Sequence, residues 1–223
     1  MPFRLFIGML FLPYTGMVLS FTVIGSLLAR HVFWDRVAAI MLVYFLALGM
    51  GAHALDALAS KGSKPWGGVF NRRTLVGIAA ITVATAYAIG GYYIVTTSPW
   101  LAVIALAEGF FLFAYNLEWF DGQFHTDLWF AASWGALPVL AGYVMQTNAL
   151  SLPALLLAAA AGLLSLVEIQ ASRPYKALKR QDRLTEADRH LMQRLERILK
   201  ALSLGVILIG LALMAARWEG VRF

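Results

Sequence analysis

The feature that most constrains the fold is a series of apolar blocks, each long enough to cross a lipid bilayer. A helix that spans hydrocarbon needs about 20 mostly apolar residues, because each residue adds about 1.5 Å and the helix must satisfy its own backbone hydrogen bonds. Hydrophobic residues make up 61% of this 223-residue chain, and charged residues make up only 13%. We therefore predict one all-α domain over residues 1–223, a multi-pass transmembrane bundle of about seven helices near residues 4–29, 34–58, 74–96, 100–119, 128–146, 152–172 and 196–217.

The distribution of Lys and Arg predicts the orientation of this bundle, because basic residues close to helix ends are retained in the cytoplasm. If the N-terminus is inside, the segment that follows the second helix faces the cytoplasm with Lys61, Lys64, Arg72 and Arg73. Of the 18 Lys and Arg, the opposite side then keeps Arg30, Arg36, Arg217 and Arg222. We predict a cell-membrane protein with a cytoplasmic N-terminus and an external C-terminus. This topology and attraction to anionic lipids explain the net charge of +6 better than nucleic-acid binding does.

Residues 173–195 form the only long polar stretch, and we predict a cytoplasmic loop that contains an interfacial helix. Thr185 and Asp188 have the spacing of a capping box, which predicts that a helix starts there. This helix would lie at the membrane interface and lead into the seventh span. The chain has no cysteine, so any metal would have to be bound by oxygen or imidazole.

A group of polar side chains interrupts the apolar stretch FLFAYNLEWFDGQFHTDLWFAASWGALPVLAGY at residues 111–143. The predicted topology places this group at the cytoplasmic end, together with the ends of the second and sixth helices. Ionisable groups in a membrane span are unfavourable unless they line a cavity, so they usually carry function. We predict one cavity open to the cytoplasm, with six candidate catalytic residues: His53, Asp56, Asn116, His125, Asp127 and Glu168.

Several of these residues also have structural interpretations. Asp127 can cap the fifth helix, where a negative charge is favoured. His53 and Asp56 lie three residues apart on one helix face and can pair with each other. Glu108 lies midway along the fourth helix, and the sequence names no partner for it.

Residues 35–175 resemble the UbiA superfamily of intramembrane prenyltransferases. The likeness rests on polar residues at the end of the second helix, a basic loop, Tyr115 near the end of the fourth helix, and Trp134, Gly135 and Pro138 in the fifth. The resemblance implies a UbiA-like bundle in which Mg²⁺ is held at the ends of helices two and six against a prenyl diphosphate. On this chain it implies Asp56 and Glu168 as metal ligands. The implied substrate-binding residues are Lys61, Lys64, Arg72, Arg73, Tyr115, Trp134, Arg173 and Lys176.

The chain also departs from the family pattern. The first Asp-rich motif is reduced to His53 and Asp56, followed by Ala57 and Ser60, and Glu168 is the only acidic residue at the second. Three functions stay open. One is a prenyltransferase-like enzyme with a single Mg²⁺, and another is a terpene cyclase in which Asp56 or Glu168 protonates an alkene. The third is a non-catalytic lipid-binding or assembly subunit.

Overall fold

The computed structural model describes residues 12–59, 70–181 and 183–221. These residues form seven helices and no strand: α1 (Leu12–Leu27), α2 (Trp34–Ala59), α3 (Arg72–Thr96), α4 (Leu101–Asn116), α5 (Asp127–Thr147), α6 (Leu152–Lys179) and α7 (Glu186–Trp218). The predicted all-α bundle of about seven helices is confirmed for this part of the chain. Five of the helices, α2, α3, α5, α6 and α7, are long and apolar enough to cross a membrane, whereas α1 and α4 are shorter apolar helices.

Side-chain caps define where four of the helices begin. The first backbone N–H groups of a helix have no partner within it, and an oxygen of the residue before the helix can accept from them. The residues that do so are Asn71 for α3, Thr126 for α5, Ser151 for α6 and Thr185 for α7. The predicted capping box is confirmed, because the Thr185 N–H also donates to the Asp188 carboxylate at 3.0 Å.

Within residues 173–195, the connection between helices is shorter than the predicted loop. The helix α6 continues to Lys179, and α7 runs without a break from Glu186 to Trp218. Lys176 and Lys179 favour the longer α6, because cations in the last turn complement the helix dipole. At about 1.5 Å per residue, α7 is about 50 Å long, which exceeds the roughly 30 Å of bilayer hydrocarbon. The predicted interfacial helix is thus the first part of α7 and is continuous with its apolar part.

The helices α1 and α5 approach each other closely because small residues face each other at their contact. A side chain on Gly142 would collide with the Thr22 carbonyl oxygen, and one on Gly25 would collide with the Val139 carbonyl. Ser26 Oγ donates a hydrogen bond to the Gly142 carbonyl at 3.2 Å. Small residues of this kind let helix backbones pack closely. Close packing matters in a bilayer, because burial of apolar side chains does not drive helices together there.

Two arginines donate hydrogen bonds to carbonyl groups at helix ends, on the side of the bundle opposite Asn116 and Lys179. The Arg217 guanidinium donates to the Leu27 and Ala29 carbonyls at 2.8 Å. Arg36 donates to the Met145 and Gln146 carbonyls at the end of α5. These bonds satisfy carbonyl groups that have no partner at the C-terminus of a helix.

Candidate functional site

The polar end of the bundle is defined here as the last turns of α2, α4 and α6 with the first turns of α1, α3, α5 and α7. The contacts between these turns join residues that are far apart in the sequence. The end of α6 reaches the start of α5 through Arg173 and Asp127, and it reaches the start of α1 through Lys176 and Tyr14. Most of the predicted site residues that the structure describes lie in these turns or in the loop between α4 and α5.

One group of contacts centres on the loop between α4 and α5. The rings of Tyr115 and His125 stack with centroids 4.4 Å apart. His125 Nδ1 lies 2.9 Å from the Tyr115 carbonyl oxygen, and because a carbonyl only accepts, this bond requires the proton on Nδ1. Arg173 Nη2 donates to the His125 carbonyl at 3.2 Å, and Arg173 Nε lies 2.9 Å from Asp127 Oδ1. The loop is therefore held against α6 by a single guanidinium.

A second group lies on one face of α6. Glu168, Ser172 and Lys176 are spaced four residues apart, so their side chains share that face. Glu168 is only 3% exposed, and its Oε1 accepts no hydrogen bond from the part of the chain that the structure describes. Lys176 interacts electrostatically with Glu168, and its ammonium lies 5.3 Å from the centroid of the Tyr14 ring. A carboxyl, an ammonium and a phenol thus interact along this face of α6.

Two π-helical segments position the aromatic side chains between these groups. Residues Phe45–Ala52 of α2 end next to His53, and Ala132–Ala136 of α5 contain Trp134. The His53 and Trp134 rings lie 5.7 Å apart. Trp134 stacks on Phe130 at 5.3 Å, and Phe130 lies 5.9 Å from Tyr115. We call the four side chains Tyr115, His125, Phe130 and Trp134 the aromatic wall. Wide turns of this kind occur often at functional sites.

The remaining predicted residues play different structural parts. Asn116 is buried, and its Nδ2 donates to the Leu112 carbonyl of its own helix at 2.8 Å. Asp56 is half-buried one turn after His53, whereas Arg72 and Arg73 are exposed at the start of α3. Lys61 and Lys64 lie outside the described residues. The structure brings His125, Asp127 and Arg173 into contact, and a single cavity lined by all six catalytic candidates stays a prediction.

The helix-capping interpretation of Asp127 needs a change. Thr126 is the residue that caps α5, and it accepts from the Trp129 N–H at 3.4 Å. Asp127 occupies the first turn instead, where its charge still favours the helix, and its carboxylate binds Arg173. The sequence pattern identified the correct turn but not the residue that caps it.

A magnesium site was expected at Asp56 and Glu168. Among the residues that the structure describes, no group of three or more His, Asp or Glu side chains is placed to hold a metal ion. Mg²⁺ prefers six oxygen ligands, and Glu168 interacts electrostatically with the Lys176 ammonium. Binding of Mg²⁺ at Asp56 and Glu168 stays a prediction.

Tyr14 is the member of the site that the sequence did not reveal. The Tyr14 side chain contacts α6. Its ring lies 5.3 Å from the Lys176 ammonium, and its hydroxyl interacts with Ser172 and Glu168. A tyrosine near the start of an apolar helix is ordinary at a membrane interface, so its sequence position alone carries no functional signal. The sequence indicates Tyr14 only through the predicted topology, which places it at the same end of the bundle as Glu168.

Comparison with protein-family models, with curated proteins and with solved structures gives no match to this chain.

Proposed function

We propose that this chain is a UbiA-like membrane enzyme that transforms an isoprenoid lipid at the polar end of its bundle, which faces the cytoplasm. The observation that supports this most directly is the contact of Arg173 with His125 of the aromatic wall, on the same stretch of α6 that carries Glu168 and Lys176. Cationic side chains can bind an anionic lipid head, and the faces of aromatic rings can stabilise a carbocation. The resemblance of residues 35–175 to intramembrane prenyltransferases gives the substrate class.

In the transferase form of the proposal, Arg173 and Lys176 bind the diphosphate of a prenyl diphosphate, and Arg72 and Arg73 add positive charge at the entrance. The bond between the prenyl carbon and the diphosphate oxygen breaks, and the diphosphate leaves with its electron pair. Tyr115 and Trp134 stabilise the allylic cation through their ring faces. The acceptor forms a bond to that carbon, and its proton passes to Asp56 or His53 as general base.

A terpene cyclase is the second candidate, and the environment of Glu168 favours it. This carboxyl is buried, and its Oε1 has no hydrogen-bond donor among the described residues. Arg173 is already paired with the Asp127 carboxylate, and Lys176 interacts electrostatically with the Glu168 carboxyl. In the cyclase form, Glu168 gives its proton to an alkene carbon of the isoprenoid and accepts a proton back when the ring product forms.

The first experiment supplies the purified protein in lipid nanodiscs with radiolabelled prenyl diphosphates and with uncharged polyene isoprenoids. Release of diphosphate together with a new labelled lipid supports the transferase. Conversion of a polyene to an isomer of the same mass supports the cyclase. If no substrate gives either product, the proposal is overturned, and a non-catalytic subunit describes the protein better.

A matched pair of variants links the result to the site. Glu168→Gln changes the buried carboxyl, whereas Glu196→Gln changes a carboxyl on α7 whose partner is Lys200. In the cyclase form we expect product to fall about a hundredfold or more in the first variant and to stay unchanged in the second, because general acid–base groups contribute on that scale. An equal effect in both variants would place the chemistry elsewhere.

Metal dependence is tested separately by thermal unfolding. A ligand that binds only the folded state raises the melting temperature. The transferase proposal predicts a rise with prenyl diphosphate that increases further when Mg²⁺ is added. A rise that is the same with and without Mg²⁺ would show that the cationic side chains alone hold the diphosphate.

A further inference from the structure

A second polar position lies inside the bundle, away from the candidate site. Glu108 precedes Asn116 by eight residues, which places it about 12 Å deeper along α4. The Tyr44 hydroxyl of α2 donates a hydrogen bond to Glu108 Oε1 at 2.7 Å. Glu108 Oε2 is buried and accepts no hydrogen bond from any residue that the structure describes. One carboxyl oxygen therefore has a structural partner, and the other has none among the described residues.

Glu108 lines a cavity of about 70 Å³ between α2, α3 and α4, which is partly open to the surface of the bundle. Tyr44 and Tyr87 are the other lining residues with polar side chains. The Tyr87 hydroxyl is engaged, since it donates to the Ala105 carbonyl at 2.9 Å. Apart from these three residues, the lining consists of aliphatic side chains and glycines. Glu108 is therefore the lining residue that keeps a side-chain oxygen without a hydrogen-bond partner among the described residues.

Glycines create much of this space. A side-chain carbon added at Gly90 or Gly91 would meet no atom within 4 Å, so the α3 backbone is bare where it faces the cavity. Gly109 has a different part, because a side chain there would collide with the Tyr87 hydroxyl. Because Gly109 has no side chain, Tyr87 can reach from α3 to α4 and form one side of the cavity.

We infer that this cavity binds the hydroxyl end of an uncharged long-chain alcohol taken from the bilayer. The apolar lining accommodates hydrocarbon, and the hydroxyl supplies the bond that Glu108 Oε2 lacks. A hydroxyl can donate to a carboxylate and can accept from a carboxyl O–H, so it fits either protonation state. No Lys or Arg lies among the lining residues, which argues against an anionic lipid head. A buried polar atom without a partner is unfavourable, and binding removes that penalty.

The test uses hexadecanol that carries a diazirine on its chain, added to the full-length protein in nanodiscs. After illumination, mass spectrometry identifies the labelled residues. We expect labelling on α2, α3 and α4 around Glu108, and we expect unlabelled hexadecanol to suppress it. Hexadecane should suppress it about tenfold less effectively, the factor that one hydrogen bond of about 1.4 kcal/mol corresponds to. Equal suppression by the alkane, or no labelling at these helices, would overturn the inference.

Variants of Glu108 separate a hydroxyl ligand from an amine. The amide of Glu108→Gln can still donate to and accept from a hydroxyl, so labelling by the alcohol should persist, whereas Glu108→Leu should lose it about tenfold. An ammonium would instead need the carboxylate. Stronger competition by hexadecylamine, together with loss in Glu108→Gln, would show a cation site and refute the proposal.

A steric variant keeps the test decisive if Glu108→Leu does not fold. Gly90→Leu fills the cavity and leaves Glu108 intact, and it should abolish labelling. Gly205→Leu is the matched control, because a side chain at Gly205 of α7 also meets no atom within 4 Å but lies outside the cavity. Labelling that survives Gly90→Leu would mean that the alcohol binds elsewhere. None of these variants alters Glu168, Arg173 or the aromatic wall, so the outcome is independent of the proposed enzyme activity.

Discussion

Arg173 and Asp127 form an ion pair of 2.9 Å that joins the end of α6 to the first turn of α5. The same guanidinium binds the His125 carbonyl, so one side chain holds the end of the loop that leads into α5. This loop carries the ring that stacks on Tyr115. The position of the aromatic wall relative to the cations of α6 depends on this contact.

Replacing Arg173 should therefore affect function more than stability. The side chains of the pair are 43% and 32% exposed, and such pairs contribute at most about 1 kcal/mol to folding. We expect Arg173→Ala to lower the free energy of unfolding by about 1–2 kcal/mol, including the carbonyl bond, and to reduce product formation at least tenfold. Thermal unfolding and product assays measure the two effects. Arg194→Ala, at an exposed position on α7, should change neither. A large stability loss with normal product would make Arg173 a purely structural residue.

Asp56→Asn separates chemistry from architecture at the end of α2. The substitution keeps the size of the side chain and removes the ionisable group. If Asp56 takes part in proton transfer or metal binding, product should fall about a hundredfold or more with little change in melting temperature. If Asp56 only partners His53, melting temperature should fall while product persists at permissive temperature. The second pattern would contradict the role proposed for Asp56.

Two glycine substitutions test the close contact between α1 and α5. Gly142→Ala places a carbon against the Thr22 carbonyl and the Ser26 backbone, and neither can move without shifting α1. Overpacking of this kind lowers the free energy of unfolding by about 1–3 kcal/mol. Gly205→Ala on α7 has open space around it and should be neutral or stabilising by up to about 1 kcal/mol, since alanine favours a helix. Equal melting temperatures for the two variants would show that α1 and α5 pack less closely than described.

The orientation in the membrane can be mapped with single cysteines, because the chain has none of its own. Gln181 follows α6 at the polar end, and Ala149 lies between α5 and α6 at the opposite end, and both are exposed. We expect a membrane-impermeant maleimide added to intact cells to label Ala149→Cys but not Gln181→Cys. Disruption of the cells should make both reactive. The reverse pattern would invert the proposed topology.

The number of helices and several of their boundaries were predictable because they depend on interactions within short segments. Apolar blocks of sufficient length determine spans in any bilayer, and a cap depends on residues three positions apart, as in Thr185 and Asp188. The same local reasoning placed Glu168, Lys176 and Arg173 at one end of α6. It was less accurate at the end of α6, which continues through polar residues to Lys179, although the helix predicted to start after Thr185 is present.

Only the tertiary structure decided which side chains meet. Tyr44 and Glu108 are 64 residues apart, and Arg173 and His125 are 48 apart, so no local pattern pairs them. The π-helical segments that turn His53 toward Trp134 likewise depend on packing between helices, as at Gly51 against Val83. The sequence by itself determined an apolar helical bundle with a polar end. The three-dimensional arrangement decided which polar groups share that end and placed a separate carboxyl, Glu108, in a cavity of its own, because side-chain contacts between helices depend on their relative rotation and depth.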